Sequence, residues 1–329
     1  MQQLPSDARI LYLNITTAYD SMQKETVSHF EQDTMARTVV PEADAIIGKP
    51  FKVLDRGFVM LVDYMGGDSS IVQAARTSYG KGTKKKSDDE GLIRYLMRHG
   101  HTTPFEMVEI KLFAKMPIFV ARQWVRHRTA SINEYSLRYS LVDECFYVPE
   151  PENISAQSKS NRQGREGLLP SAEVDSFRKD LENTSKEAYA NYIKHVDAGV
   201  ARELARALLP VNFYTQWYWK TNLHNMFHFL KLRLDQHAQF EIQSYADAVA
   251  NITKSVAPVA YSAFEDYELN AVRLSSKEQR ALQNTVNGTH SVDEAVKGTG
   301  LRLDNQDGIR MKSGEGIEAV SKISGLIRK

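Results

Sequence analysis

Apolar residues recur along most of the chain at the spacing of a strand or of a helix. From Val108 to Met116 every second residue is apolar, which is the period of a strand with one buried face. Over 174–196 the apolar residues lie three to four positions apart or at multiples of that, and Gly199 follows, which predicts a long amphipathic helix. Helical spacing returns over 223–234 and 242–256. The chain is therefore predicted to combine strands with long helices.

Further strands are indicated by turn residues and by β-favouring composition. Residues 52–62 predict two short strands around a turn at Gly57. Residues 211–219 are dense in aromatic and β-favouring side chains and predict another strand. Because strands and helices interleave without a glycine-rich βαβ crossover, an α+β fold is favoured over a doubly wound one.

Capping residues place several helix ends. Asp68 is predicted to cap a short helix, and Pro117 to be the first residue of another. Ser87 and Glu90 have the spacing of a capping box, and the helix they begin is predicted to end at Gly100.

The remaining segments carry weaker patterns. Residues 1–50 are polar, with a thin helical pattern over 20–35, and residues 152–170 are polar enough to predict a surface loop. After about residue 267 the chain turns to Ser, Gly, Asn and Lys, with two capped segments that begin at Ser275 and Ser291. At the end of the chain, the apolar residues over 317–327 have helical spacing.

Composition and charge exclude several classes of protein. The 329 residues carry 42 basic and 41 acidic side chains and are 42% apolar, which is typical of a globular chain and not of a disordered, collagenous or disulfide-stapled one. A formal net charge of +1 argues against a nucleic-acid binder with a broad basic surface.

Two further observations concern the compartment. The single cysteine, Cys145, cannot form an intramolecular disulfide, which favours a reducing, cytoplasmic environment. It lies in a strand-like stretch, 145–148, and is predicted to be a packing residue. No run of 18 apolar residues and no apolar leader are present, so neither a membrane span nor an export signal is expected.

The densest group of functional side chains lies over 126–140. It contains three arginines, a histidine, a carboxylate and several hydroxyls, which suit a phosphate or another dianionic ligand. A helix end with cations that complement its dipole, followed by a salt-bridged surface loop, explains the same composition about equally well.

Histidines suggest a second kind of chemistry. His99 and His101 lie one residue apart in a predicted loop, which fits a metal or proton-transfer site or an incidental helix cap. His224 and His228, and likewise His237 and Glu241, have the i, i+4 spacing of ligands on one helix face. A metal-dependent phosphohydrolase that uses His99, His101, His224, His228 and His237 is therefore one hypothesis.

Common nucleotide and acyl-transfer motifs are missing from the sequence. There is no G-x-G-x-x-G after a strand and no G-x-x-x-x-G-K-[ST]. Any nucleotide is therefore bound by residues outside these common phosphate-binding loops. No G-x-S-x-G elbow is present, which weakens an acyl-transfer role for Ser131 or Ser136.

One long motif resembles a known family. Arg126-His127-Arg128, seven residues and then Ser136 match the R-H-R-x7-S signature of the flavin-dependent thymidylate synthases, the ThyX family. Further matching segments occur in the family's order and extend the resemblance over roughly residues 51–267: Ala74-Ala75-Arg76-x-Ser78, Tyr95-Leu96-x-x-His99-Gly100-His101-x-Thr103-Pro104-Phe105-Glu106, residues 117–124, Ala205-Arg206-x-x-Leu209-Pro210, and Leu232-Arg233-x-Asp235-x-His237-Ala238-Gln239-x-Glu241-Ile242.

The resemblance implies a fold and a reaction. Members of this family have an antiparallel sheet flanked by long helices and assemble as homotetramers with active sites where subunits meet. They make dTMP from dUMP with methylenetetrahydrofolate as carbon donor and NADPH-reduced FAD as hydride source, without a catalytic thiolate and without a metal. On this basis the chain divides into an N-terminal extension (1–50), a catalytic domain (51–267) and a C-terminal extension (268–329) of unknown role.

The resemblance also implies the site residues. Arg233, at the uracil ring, and His101, near the reacting flavin ring, are the expected catalytic residues. The expected dUMP contacts are Gln123, Arg126, Glu134, Ser136, Arg138, Arg206 and Arg233. The expected FAD contacts are Ser78, Thr103, Arg126, His127, Arg128, Glu134, Asn222, His224 and His228.

Overall fold

The alternating segment around Leu112 forms the central strand of a five-stranded antiparallel sheet. The computed structural model describes residues 37–77, 89–158, 164–288, 291–301, 303 and 315–327. The chain divides into two compact units, residues 1–39 and 40–329, and every element described below belongs to the second.

The strands are β1 (Pro50–Val53), β2 (Gly57–Met65), β3 (Glu109–Pro117), β4 (Ser131–Glu134), β5 (Ser155–Gln157), β6 (Arg165–Leu168) and β7 (Tyr214–Asn222). The α-helices are α1 (Pro41–Asp44), α2 (Asp68–Arg76), α3 (Asp89–Arg98), α4 (Ile118–Trp124), α5 (Ser171–Asp197), α6 (Arg202–Ala205), α7 (Leu223–Arg233), α8 (Phe240–Val256), α9 (Pro258–Phe264), α10 (Ser276–Val286), α11 (Val292–Gly298) and α12 (Glu315–Ile327). Short 3-10 turns lie at Thr103–Met107, Pro151–Asn153 and Arg206–Leu208, and a π-helical turn, Glu265–Leu269, follows α9.

The large sheet has the order β1-β2-β3-β7-β4, and all neighbouring strands are antiparallel. In β3 the residues at alternate positions from Ile110 to Met116 are fully buried, and those between them are half-buried. Leu112 lies opposite Leu61 of β2 and Trp219 of β7. Helix α8 packs in the same core, where Tyr245 donates a hydrogen bond to the carbonyl of Lys115 at 2.7 Å. The predicted α+β fold is confirmed, with an antiparallel sheet and long helices.

Most predicted elements are present with boundaries shifted by a few residues. Gly57 begins β2 after a turn, and the long helix α5 ends just before Gly199, whose φ is +90°. Helix α3 ends in a Schellman motif, since the N–H of Gly100 donates to Met97 and the N–H of His101 donates to Leu96. Gly100 has a φ of +69°, the left-handed conformation that this cap requires.

Two capping predictions are wrong. Gly67, not Asp68, is the N-cap of α2, and the carboxylate of Asp68 instead accepts the backbone N–H groups of Val259 and Ala260 at 2.9 Å each. It therefore caps α9, which is distant in sequence and could not be paired with it by a local pattern. Pro117 is the last residue of β3 and the N-cap of α4, because its ψ of 146° is extended.

Three segment predictions also need correction. The stretch 152–170 is not a plain loop, because β5 and β6 pair within it. The stretch 145–148 makes only an isolated bridge, Phe146 with Phe213, although Cys145 is buried as expected. The strand predicted from residue 211 begins at Tyr214, after a turn in which Phe213 donates to Pro210.

The helical pattern over 20–35 and the serine of the Ser87 box lie outside the described residues. Both C-terminal capping boxes are present: Ser275 with Glu278 on α10 and Ser291 with Glu294 on α11. Helices α10, α11 and α12 share a small apolar cluster of their own, separate from the main core, with Ala281, Ala295, Val296, Leu301, Leu303, Ala319 and Ile323 at its centre. None of the helices in the described ranges is both long and apolar enough to cross a membrane.

Candidate active site

Trp124, at the end of α4, fixes the turn that begins the arginine-rich segment. Its indole is fully buried, stacks on Phe229 with 5.0 Å between ring centroids, and meets Trp217 edge-on at 5.7 Å. The N–H of His127 then donates to the carbonyl of Trp124 at 3.0 Å. His127 is thereby buried, while the arginines on either side of it stay exposed.

Arg233, at the last turn of α7, binds this buried turn. Its Nε donates to Nε2 of His127 at 3.0 Å, and its Nη2 donates to the carbonyl of Gln123 at 3.2 Å. Burial lowers the pKa of His127 to about 4, with further contributions from the charges of Arg233 and His228. The pKa of Arg233 is also lowered, first by burial and then by the charge of Arg126. His127 is therefore a neutral acceptor that orients a cation.

The short strand β4 continues the arginine-rich segment along the edge of the sheet. Ile132 lies opposite Trp219, and Glu134 lies opposite Trp217. The carboxylate of Glu134 is exposed and accepts a hydrogen bond from Oγ1 of Thr215 at 2.7 Å. No apolar alternation predicts this strand, because only four residues form it and three of them are exposed.

A second polar group follows β4. The backbone N–H of Arg138 donates to Oγ of Ser136 at 3.3 Å, and the Arg138 guanidinium lies 3.6 Å from the carboxylate of Glu203. Arg206 donates to the carbonyl of the same Glu203 at 3.2 Å. Ser136, Arg138 and Arg206 are thus brought together around Glu203. Within the described residues no hydrogen bond or ion pair joins this group to Arg233.

A cavity of about 360 Å³ opens beside His127. The rings of His127 and His228 are 5.9 Å apart, and His228 lines the cavity. The other lining residues are Leu96, Met97, Gly100, His101, Thr102, Phe105, His224, Phe227, Lys231, Phe264, Glu268 and Arg273. Three expected site residues, His101, His224 and His228, therefore line one cavity, and His228 neighbours the His127 ring that Arg233 binds.

Three charged residues of the cavity were missed by sequence analysis. Glu268, in the π-helical turn, binds Nζ of Lys231 and a guanidinium nitrogen of Arg273, each at 2.5 Å. Lys231 lies one turn after His228 on α7, so helical periodicity from the histidines could have found it. Glu268 and Arg273 carry no local signal, because only tertiary packing brings them there.

Three further expected FAD residues belong to the described part of the chain, and none of them lines the cavity. Asn222 caps α7 by accepting the N–H of Asn225 at 2.9 Å, and Thr103 is exposed at the start of its 3-10 turn. Arg128 is exposed three residues before β4. Ser78 lies outside the described residues.

The histidines do not assemble as a metal site. In the described part of the chain no three His, Cys, Asp or Glu side chains come together in a way that could hold a metal ion. His237 precedes α8 and pairs with Asp235 at 2.8 Å, so the predicted helix face with Glu241 is wrong. The ring of His99 packs on Tyr95, 4.4 Å between centroids.

Comparisons with known proteins point to one family. The family model described as thymidylate synthase complementing protein matches residues 60–259. The chain is 49% identical to a flavin-dependent thymidylate synthase of Rickettsia conorii over 80% of this chain and 96% of that protein. It is 52% identical to one of Wolbachia pipientis wMel over 78% of this chain and 91% of that protein.

A solved structure agrees with these sequence relatives. The UMP/dUMP methylase PolB of Streptomyces cacaoi, bound with 5-Br UMP, is 32% identical to this chain. It superposes with a TM-score of 0.60 over 66% of this chain and 97% of its own. The same enzyme bound with 5-Br dUMP gives a TM-score of 0.59. The relatives and the matched family model agree with the family indicated by the R-H-R-x7-S motif, and the chain belongs to the family of flavin-dependent thymidylate synthases.

Proposed function

We propose that this protein converts dUMP to dTMP, with methylenetetrahydrofolate as carbon donor and NADPH reducing a bound FAD. The observation that carries the proposal is the hydrogen bond from Arg233 to His127 of the R-H-R-x7-S motif. This contact lies beside a cavity lined by histidines. A fixed cation and a neutral acceptor beside a histidine-lined cavity suit a reaction on a nucleotide base.

The residues present fit FAD. Arg126 and Arg128 are exposed and take part in no ion pair of the described residues, so both are available to anionic phosphates. His224 and His228 add ring donors along the cavity. We assign FAD binding to Ser78, Thr103, Arg126, His127, Arg128, Glu134, Asn222, His224 and His228. Bound FAD supplies hydride chemistry, and the protein supplies its orientation.

The dUMP site is assigned to the arginines and their neighbours. Arg126, Arg138 and Arg206 suit the dianionic phosphate, because guanidinium forks match phosphate oxygens and keep their charge. Gln123, Glu134 and Ser136 complete the polar contacts. Arg233 is assigned to the uracil ring: its Nε and Nη2 are held by His127 and Gln123, so its charge stays fixed while negative charge develops on the ring and activates C5.

His101 is assigned to the reacting end of the cavity. The Schellman turn at Gly100 sets the position of its backbone, and its ring lies 6.0 Å from that of Tyr95. We further propose that the enzyme is a homotetramer. Within the described residues of one chain, the group of Ser136, Arg138 and Arg206 makes no hydrogen bond or ion pair with Arg233, which is expected if each active site draws residues from several subunits.

We also propose that residues 51–267 are the catalytic domain, flanked by extensions over 1–50 and 268–329. The single cysteine supports a cytoplasmic location.

The proposal is tested by assaying dTMP formation from dUMP, methylenetetrahydrofolate, NADPH and FAD. The purified protein is expected to be yellow, with a flavin absorption band. A colourless, metal-loaded protein with phosphohydrolase activity would instead support the alternative hypothesis.

The variant Arg233→Ala sharpens this test. It is expected to keep FAD and NADPH oxidation but to lower dTMP formation by about a hundredfold or more, because a preorganised cation at the base is lost. Arg178→Ala is the matched control, since this half-buried arginine of α5 pairs with Glu150 away from the site. Unaltered dTMP synthesis by Arg233→Ala would refute the assigned role.

A further inference from the structure

Two cations and one carboxylate meet on the wall of the cavity beside His127. Oε2 of Glu268 accepts one hydrogen bond from Nζ of Lys231 and another from Nη2 of Arg273, each at 2.5 Å. All three side chains line the cavity. The structure thus shows that a single anionic oxygen at this place is within hydrogen-bond reach of both cations. We call Lys231 and Arg273 the cation pair.

Glu268 is held at the cavity by the turn that carries it. It lies in the π-helical turn Glu265–Leu269, a form of helix that often occurs at functional sites. The ring of Tyr267, the preceding residue, lies 5.2 Å from the guanidinium of Arg94, which also binds the carboxylate of Asp266. These contacts fix the backbone next to Glu268, whereas the cation pair is carried on long side chains that can turn to another acceptor.

The cavity wall carries more fixed positive than negative charge. Glu268 is the only acidic residue among the described residues that line it, and it faces two cations. In the part of the chain that the structure describes, no second carboxylate binds Lys231 or Arg273. The side chain of Arg273 is 71% exposed, so a ligand reaches it without unfolding the wall. One positive charge of the pair is therefore left to bind a further anion.

The rest of the wall suits a nucleotide. Phe227 and Phe264 line the cavity and stack with 4.5 Å between ring centroids, which gives a planar flavin or adenine ring an aromatic surface to pack against. On α7, Lys231 lies one turn after His228 and two turns after His224. A ligand that follows the histidines along this helix therefore reaches the cation pair.

We propose that Lys231 and Arg273 form a phosphate-binding site in the cavity, which Glu268 occupies when no ligand is bound. This rests on the proposed function, in which FAD and NADPH bind the protein. A ligand carboxylate would replace Glu268 with an equal charge and gain little. A phosphate monoester or a diphosphate brings more oxygens and about two negative charges, so it competes successfully for both cations.

Two ligands of the proposed function carry such a group besides dUMP. They are FAD, through its diphosphate, and NADPH, through the phosphate on its 2′ oxygen. Glu268 and Arg273 both follow position 267, so the site assigns the first residues of the C-terminal extension to the catalytic cavity.

The test uses the full-length chain and ligands that carry or lack the group in question. FAD and riboflavin are titrated into the protein freed of flavin, and 2′,5′-ADP and 5′-AMP into its oxidised FAD complex. Lys231→Met and Arg273→Met each remove one cation and keep an apolar stem. Glu268→Gln removes the competing charge and keeps an acceptor oxygen. Lys186→Met is the matched control, since Lys186 pairs with Glu182 on α5.

Both Met variants are expected to weaken one phosphate ligand about tenfold, the effect of one lost charge-assisted hydrogen bond. If the site binds FAD, the loss appears for FAD and not for riboflavin. If it binds NADPH, the loss appears for 2′,5′-ADP and not for 5′-AMP. Glu268→Gln should tighten the same ligand about fivefold, because an anion that competes for the cations is gone. Lys186→Met should change neither ratio.

Two outcomes would overturn the proposal. In the first, neither ratio changes in the folded Arg273→Met protein, whose substituted side chain lies mostly in solvent. In the second, Glu268→Gln weakens the phosphate ligand as the Met variants do, which would indicate that the three side chains only hold the wall together.

Failure of the proposed function would look different. The wild-type protein would then form no dTMP, even if the variants changed phosphate binding as expected. If the wild type forms dTMP and no variant changes either ratio, only the phosphate site is refuted.

Discussion

His127 acts through its uncharged ring. It is 8% exposed, its Nε2 accepts a hydrogen bond from Arg233, and its pKa is about 4 against an ordinary value of 6.5. The unfolded chain therefore binds the proton more tightly between these two values, and stability falls as the pH drops from about 6.5 toward 4. We expect about 2 kcal/mol of this loss between pH 7 and pH 5.

The variant His127→Gln isolates this contribution, because glutamine keeps an acceptor near Nε2 but does not titrate. Its free energy of unfolding, measured by urea denaturation at pH 7 and pH 5, should depend on pH less than that of the wild type by about 2 kcal/mol. His195→Gln is the control, since that ring is exposed and forms no ion pair with the described residues. Equal pH dependence in wild type and His127→Gln would contradict the assignment.

At the scale of single residues, the sequence predicts which side chains belong to the site but not which contacts they make. The R-H-R-x7-S spacing identified Arg126 and His127 without any structure. The contact of His127 with Arg233, which lies 106 positions away, could not be predicted, because it depends on how α7 packs beside Trp124. Glu268 was missed for the same reason.

Asp68 shows how one element can cap another. Its carboxylate takes the backbone N–H groups of Val259 and Ala260, which begin α9 and have no partner within that helix. We expect Asp68→Ala to lower the free energy of unfolding by about 1–2 kcal/mol, the usual worth of an N-cap. Asp68→Asn, which keeps one acceptor oxygen, should lose less.

Chemical denaturation of both variants checks this prediction. Asp89→Asn is the control, because Asp89 is exposed in the first turn of α3 and its charge is paired at the surface with Arg76. Its effect should stay within about 0.5 kcal/mol. A loss in Asp68→Ala no larger than in Asp89→Asn would show that the contact with α9 does not cap it.

At the scale of elements, the spacing of apolar residues predicted the strands and helices that bury one face. The alternation in β3 and the helical spacing in α5, α7 and α8 were sufficient, since each has one face in a core. The exceptions are β4 and the β5–β6 pair, whose residues are mostly exposed and so carry no apolar alternation. Both nevertheless carry polar contacts: Glu134 of β4 accepts a hydrogen bond from Thr215, and Arg165 of β6 binds the buried carboxylate of Glu241.

At the scale of the whole molecule, the described apolar residues form a main core and smaller clusters, and the main core shares no member with the cluster of α10, α11 and α12. Val249 of α8 is fully buried in the main core, with the sheet and α7. Ile323 of α12 is fully buried in the small cluster of α10, α11 and α12, and Lys322 beside it pairs with Glu278 at 2.9 Å. A cluster with its own core can lose its structure without unfolding the other.

We therefore expect Ile323→Asp to unfold α10–α12 while the sheet, bound flavin and dTMP synthesis persist, because a buried unpaired charge disrupts only the cluster that holds it. Hydrogen exchange should show lost amide protection in α10, α11 and α12 and unchanged protection in β3. Val249→Asp, the same kind of charge in the main core, should abolish folding and flavin binding together. If Ile323→Asp also removed protection from β3 or released the flavin, the C-terminal helices would be part of one cooperative unit with the catalytic core, and the proposed boundary near residue 267 would be wrong.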